Sequence, residues 1–125
     1  MEGYKTEIVR SSKELTGKEK LIFKDLSNAV KLDSVVSSDS PLIISPVDYA
    51  IIAVHNEKSE NPDYNNYVIV DSSGKKYVTG SPSFWQAFSD IWDAMYDEDE
   101  EYSIEIYKMD SKNYKGKQFL TCSIV

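Results

Sequence analysis

The sequence predicts a mainly β protein: an OB-fold-like, five-stranded antiparallel barrel with one helix between its third and fourth strands. Three observations carry this. Residues 46–80 alternate strand-forming runs with turn chemistry. "SPSFWQAFSDIWDAMY" then switches to a helical period, and residues 102–125 return to alternation. Five strands cannot lie as a lone flat sheet without open edges and an uncovered apolar face. A helix with one apolar stripe must cover something. A strongly bent barrel plugged by that helix meets both demands; an α+β open sheet with the helix across one face is the alternative.

Each element has its own signal. "TGKE", Thr16 to Glu19, matches a capping box ahead of "KLIF". Gly17 and the Ile22–Phe23 pair suit a first strand over residues 18–26 equally well. Residues 1–13 are expected as a flexible extension of an OB-like core spanning 14–125. "PVDYAIIAVHN" carries β-branched and aromatic residues on both faces and reads as a strand. "NPDYNN" is turn chemistry. "YVIVDSSGKKYVTG" is a hairpin: strand Tyr67 to Val70, turn Asp71 to Gly74, strand Lys76 to Thr79.

Ser81 is a fitting helix N-cap and Pro82 a fitting first helical residue. Phe84, Phe88, Ile91, Trp92 and Met95 then fall on one helical stripe. Tyr102, Ile104 and Ile106 alternate with Ser103, Glu105 and Tyr107. In "QFLTCSIV", Leu120, Cys122 and Ile124 share a face.

A chain of 125 residues suits one domain, and 41% apolar with 28% charged residues suits a folded chain rather than a disordered one. No apolar run approaches the roughly 20 residues that span a bilayer. "MEGYKTEIVRSSKEL" has no signal-peptide core, and the single cysteine excludes an internal disulfide. A cytoplasmic protein without membrane attachment is expected.

The net charge of −7 is unevenly distributed. Residues 1–31 carry seven bases and five acids. Residues 82–101 carry seven acids and no base, which accounts for the entire deficit. The arm "KMDSKNYKGKQFLTC", residues 108–122, is basic by contrast.

Catalysis has little support. His55 ends a strand and reads as a surface or loop-capping residue. Cys122 lies in an apolar alternation and reads as a small core residue. "SSGKK" lacks a phosphate-loop frame. "DEDEE" lacks the spacing and central glycine of a calcium loop and reads as a solvated helix end. No enzyme, metal or cofactor is expected.

The aromatics suggest a binding role. Phe84, Phe88 and Trp92 belong to the helix stripe, but several tyrosines sit in loops or beside lysines. Rings stack on the bases of single strands, and lysines neutralise phosphates. The candidate contacts are Tyr49, Lys58, Tyr64, Tyr67 and Tyr77, with Lys108, Lys112, Tyr114, Lys115, Lys117 and Phe119 from the arm.

"VHNEKS", "YVTGS.SF" ahead of the helix, and the closing "YKGKQFLTCSI" resemble small single-stranded DNA-binding proteins of bacteriophages and mobile elements, from about residue 14 onward. The resemblance implies an OB-like barrel that coats exposed strands during replication or recombination, without catalysis. It makes Lys112 to Phe119 a hairpin bordering the groove and sets Tyr64 and Tyr67 on the opposite wall. Replication or recombination proteins would be partners, and the unpaired C-terminal strand would offer a homodimer edge. Bacterial housekeeping proteins of this activity end in an acidic tail; here the acids are internal and the chain closes on "LTCSIV". A rival reading makes the acidic lobe, Asp90 to Glu101, a nucleic-acid mimic that docks on a host enzyme.

Overall fold

A computed structural model describes residues 3–37, 39–98, 100–112 and 116–125. Tyr114 and Lys115 of the candidate arm, and Asp99 of the acidic run, lie outside the described residues. In chain order the elements are β1 (Tyr4–Ser11), α1 (Gly17–Lys24), β2 (Val30–Lys31), α2 (Leu32–Val35), β3 (Leu42–Ile44) and β4 (Pro46–Asn56). There follow β5 (Asp63–Asp71), β6 (Lys76–Thr79), α3 (Pro82–Met95), β7 (Ile104–Asp110) and β8 (Gln118–Ile124).

The protein is mainly β, as the alternation predicts, and the five expected strands are β4 to β8 with α3 between the third and fourth of them. The expected closed barrel is not formed. The strands divide into a five-stranded sheet, β1-β4-β5-β6-β2, and a three-stranded sheet, β3-β7-β8. The reason is that β1 takes the outer edge of β4 and β3 that of β7. In the first sheet β2 likewise takes the outer edge of β6.

The chain divides into two compact units. The first comprises Met1–Val30 with Val47–Gly80, and the second Lys31–Pro46 with Ser81–Val125.

In the first unit β1 pairs antiparallel with β4, Tyr4 opposite Asn56 and Ser11 opposite Ala50, with an irregularity between Ile8 and Arg10. Residues 4–11 are thus an edge strand rather than a flexible extension. Thr16 settles the ambiguous segment as helix α1. The Glu19 N–H donates to Thr16 Oγ1 at 3.2 Å, and the Thr16 N–H donates to Glu19 Oε1 at 3.1 Å. Leu15 and Phe23 then pack with Ala50, Ile52, Val54, Val68 and Val78 in one buried cluster. The opposite parity is buried too: Tyr49, Ile51, Tyr67, Ile69 and Tyr77. This explains why β4 reads as a continuous apolar run.

Asp71 fixes the β5–β6 hairpin. Its Oδ1 accepts from the Ser73 N–H and the Lys75 N–H, each at 3.0 Å, and from the Ser73 hydroxyl at 2.6 Å. Gly74 supplies the φ of +87° that closes the turn.

In the second unit Ser81 caps α3, its Oγ accepting from the Phe84 N–H at 3.2 Å. Phe84 and Phe88 are fully buried, their rings stacked at 5.8 Å. The helix packs on β8, and the Ser83 hydroxyl donates to the Leu120 carbonyl at 2.7 Å. Ile104, Ile106, Leu120 and Cys122 are buried beneath it. Ile124, expected on that buried face, is 50% exposed although it pairs with Ile104 at the end of the ladder.

Candidate nucleic-acid interface

The hairpin of β7 and β8 is the element that carries the basic arm. Its register runs from Ile104 opposite Ile124 to Asp110 opposite Gln118. The Ser111 N–H donates to the Lys117 carbonyl at 2.8 Å and closes the ladder at the loop. Because side chains alternate, burial of Leu120 and Cys122 sends Phe119 and Thr121 to the other face. Met109 lies directly opposite Phe119 there.

These residues line a groove of about 520 Å³ at the loop end of the hairpin. Its described walls are Met109, Asp110, Ser111, Lys112, Lys117, Gln118 and Phe119. Met109 and Phe119 give it apolar surface, and the exposed Lys112 and Lys117 give it positive charge. One carboxylate intrudes. Asp110 Oδ1 accepts from the Gln118 amide at 3.1 Å, and its single charge leaves the two lysines in excess. Lys108 is turned elsewhere: it is half-buried, and its ammonium donates to the Asp33 carbonyl at 3.0 Å.

Sequence reasoning therefore finds Lys112, Lys117 and Phe119 together and Lys108 in a mainly structural place. It misses Met109. The available signal was register: a loop closed between Ser111 and Lys117 sets residue 109 across from residue 119.

The remaining candidates belong to the first unit, and three of them do not offer a stacking face. Tyr49, Tyr67 and Tyr77 are buried. The Tyr49 ring has the Arg10 guanidinium 5.9 Å from its centroid. The Tyr77 hydroxyl donates to Asp71 Oδ2 at 3.0 Å. Burial, reinforced by that carboxylate, pushes the Tyr77 phenol up to about 12. Burial would raise Asp71 in turn, but donation from Ser73, Lys75 and Tyr77 outweighs it and lowers its pKa. The three tyrosines are sheet core because β4, β5 and β6 bury both parities. Lys58 is exposed in the turn after β4, and Tyr64 is 38% exposed at the start of β5.

Tyr64 does line a second cavity, of about 430 Å³, with Lys5, Thr6, His55, Asp63 and Asn65 among its walls. There His55 Nδ1 and Asp63 Oδ1 are 2.6 Å apart, and His55 Nε2 lies 3.7 Å from Glu57. Hydrogen bonding to Asp63 raises the imidazole pKa, against a smaller effect of burial. The carboxylates of Asp63, Glu57 and the lining Glu7 offset Lys5 and His55, so this cavity is a poor phosphate site. The hairpin groove is the better one.

No group of three His, Cys, Asp or Glu side chains among the described residues is arranged to hold a metal ion. Burial pushes the Cys122 thiol up to about 12, so it is a core residue rather than a nucleophile. No described helix is long and apolar enough to cross a membrane. No family model, curated protein or solved structure matches the chain.

Proposed function

We propose that the protein binds single-stranded DNA in a sequence-tolerant way through the β7–β8 hairpin, and coats exposed strands in replication or recombination of a phage or mobile element. One observation carries this reading: the apolar side chains of Met109 and Phe119 line one groove together with the exposed Lys112 and Lys117. The apolar side chains suit base faces, which all four bases present, and the lysines suit phosphates. A duplex hides its base faces, so single strands are preferred. The work is done in the cytoplasm, the host's for a phage-encoded chain, alongside replication or recombination proteins.

The test is a titration of labelled oligo-dT and an equal-length duplex at two salt concentrations. The single strand binds more tightly, and its affinity falls as salt rises. Equal affinity for the duplex, or indifference to salt, overturns the reading.

The rival role, a nucleic-acid mimic, has its own support in the exposed Asp90, Asp93, Asp97 and Glu98. Substituting Asp93 and Asp97 with Asn separates the two. It abolishes function in a mimic and spares or strengthens DNA binding here.

A further inference from the structure

The face of the β7–β8 hairpin that carries Met109 and Phe119 does not stop at the groove. Two residues further from the loop, Tyr107 lies opposite Thr121, and two further still, Glu105 lies opposite Ser123. Side chains alternate along a strand, and Ile104, Ile106, Leu120 and Cys122 are the buried set. Tyr107 and Thr121 therefore share the outward face with Met109 and Phe119, and both are half-buried. Neither is among the described walls of the groove.

The Tyr107 ring is held in place. Its hydroxyl and that of Ser123 are 2.7 Å apart. Ser123 is on the neighbouring strand, two residues beyond Thr121, so the ring leans over the hairpin to reach it. Such diagonal neighbours are within reach of aromatic side chains. So exposed a hydrogen bond competes with water and adds little to stability. It does remove rotamer freedom that a ligand would otherwise have to freeze.

Spacing and charge point to the occupant. The two rows are set about 6.7 Å apart along the strands, the advance of two residues. Bases in a duplex follow one another at about 3.4 Å. Bases laid on the two rows are thus too far apart to stack on each other, and only a drawn-out single strand supplies them. Lys112 and Lys117 give positive charge at the loop end, and neither row carries a carboxylate. Glu105 brings one in the next row, beside its register partner on β3, the exposed Ile43. Phosphates are repelled there.

We propose that the bound single strand runs out of the groove along the outward face of β7 and β8, with Tyr107 as its second base-stacking platform and Glu105 at the end of the path. This rests on the single-stranded DNA reading. It extends the site to a residue outside the groove and to a ligand with at least two unstacked bases.

Fluorescence anisotropy with labelled dT8 at fixed salt tests it. Tyr107→Leu keeps apolar bulk and loses the ring, and affinity falls about tenfold. Tyr107→Phe loses only the hydroxyl and stays much closer to the unaltered protein. Glu105→Gln removes the repulsion and tightens binding. Ultraviolet crosslinking of the unaltered protein to dT8, mapped by peptide mass, needs no variant: adducts form on Tyr107 as well as Phe119. Binding that depends on Phe119 and ignores Tyr107→Leu confines the strand to the groove and overturns the inference alone. So does an equal loss in Tyr107→Leu and Tyr107→Phe, or a set of adducts that omits Tyr107. No gain in Glu105→Gln overturns the end assigned to the path. Absence of dT8 binding by the unaltered protein overturns the single-strand reading, and this inference with it.

Discussion

Met109 of β7 lies directly opposite Phe119 of β8, and both line the groove at the end of the hairpin. Cross-strand neighbours on one face are close enough to act as a single surface. The exposed half of that surface is what a base would cover. Phe119→Ala is expected to weaken oligo-dT binding by about 1–3 kcal/mol, the contribution of one stacked base. Phe119 is only half-buried, so urea unfolding should shift little. A large stability loss with unchanged binding would make the ring structural.

Lys112 and Lys117 are expected to act through charge alone. Lys112→Ala or Lys117→Ala should each flatten the slope of log affinity against log salt by about 0.7, one phosphate contact on a single strand. Lys108→Ala should leave the slope unchanged, because that ammonium already serves the Asp33 carbonyl. A slope that responds to Lys108 and ignores the other two would move the phosphate path.

Tyr77 separates core from interface. Tyr77→Phe keeps the buried ring and removes one donor to Asp71, whose other oxygen retains three. The expected cost is about 1 kcal/mol of stability, the net value of one hydrogen bond, with oligo-dT affinity unaltered. Chemical denaturation and a binding isotherm on the same sample decide it.

His55 gives the first unit a pH dependence. Its pKa is raised above the ordinary 6.5, chiefly by the hydrogen bond to Asp63. The folded state therefore holds this proton more tightly than the unfolded chain. The stabilisation is complete below pH 6.5 and disappears as pH climbs through the raised folded value. The groups facing His55 are Asp63 on β5, Glu57 in the following turn, and Lys5, its register partner on β1. His55→Gln should remove this component from a series of melting temperatures across that range. An unchanged pH profile would show that the pair contributes nothing in solution.

Much of this fold is legible in the sequence where pattern and burial coincide. Leu120 and Cys122, and Phe84 and Phe88, alternate or recur at the period their elements demand, and each is buried. The signals fail where a partner distant in sequence decides. Tyr4 to Ser11 shows no clean alternation, and only the outer edge of β4 makes it a strand. The expected barrel fails for a related reason: β1, β2 and β3, whose pairing partners are distant in sequence, add to the edges of β4, β6 and β7. Tyr49, Tyr67 and Tyr77 look like binding tyrosines beside their polar neighbours. A strand buried on both faces gives no alternation to tell an inward ring from an outward one. Lys112, Lys117 and Phe119 were readable because a hairpin is local: register and loop length put them together without help from the rest of the chain.

The most direct test of a binding hairpin is a chemical-shift titration of the isotopically labelled protein with oligo-dT. Amides from Met109 to Phe119 should move most, saturating together, while those around Tyr77 and Asp71 stay still. Shifts centred on Lys5, His55 and Tyr64, or none anywhere at saturating oligonucleotide, would contradict it.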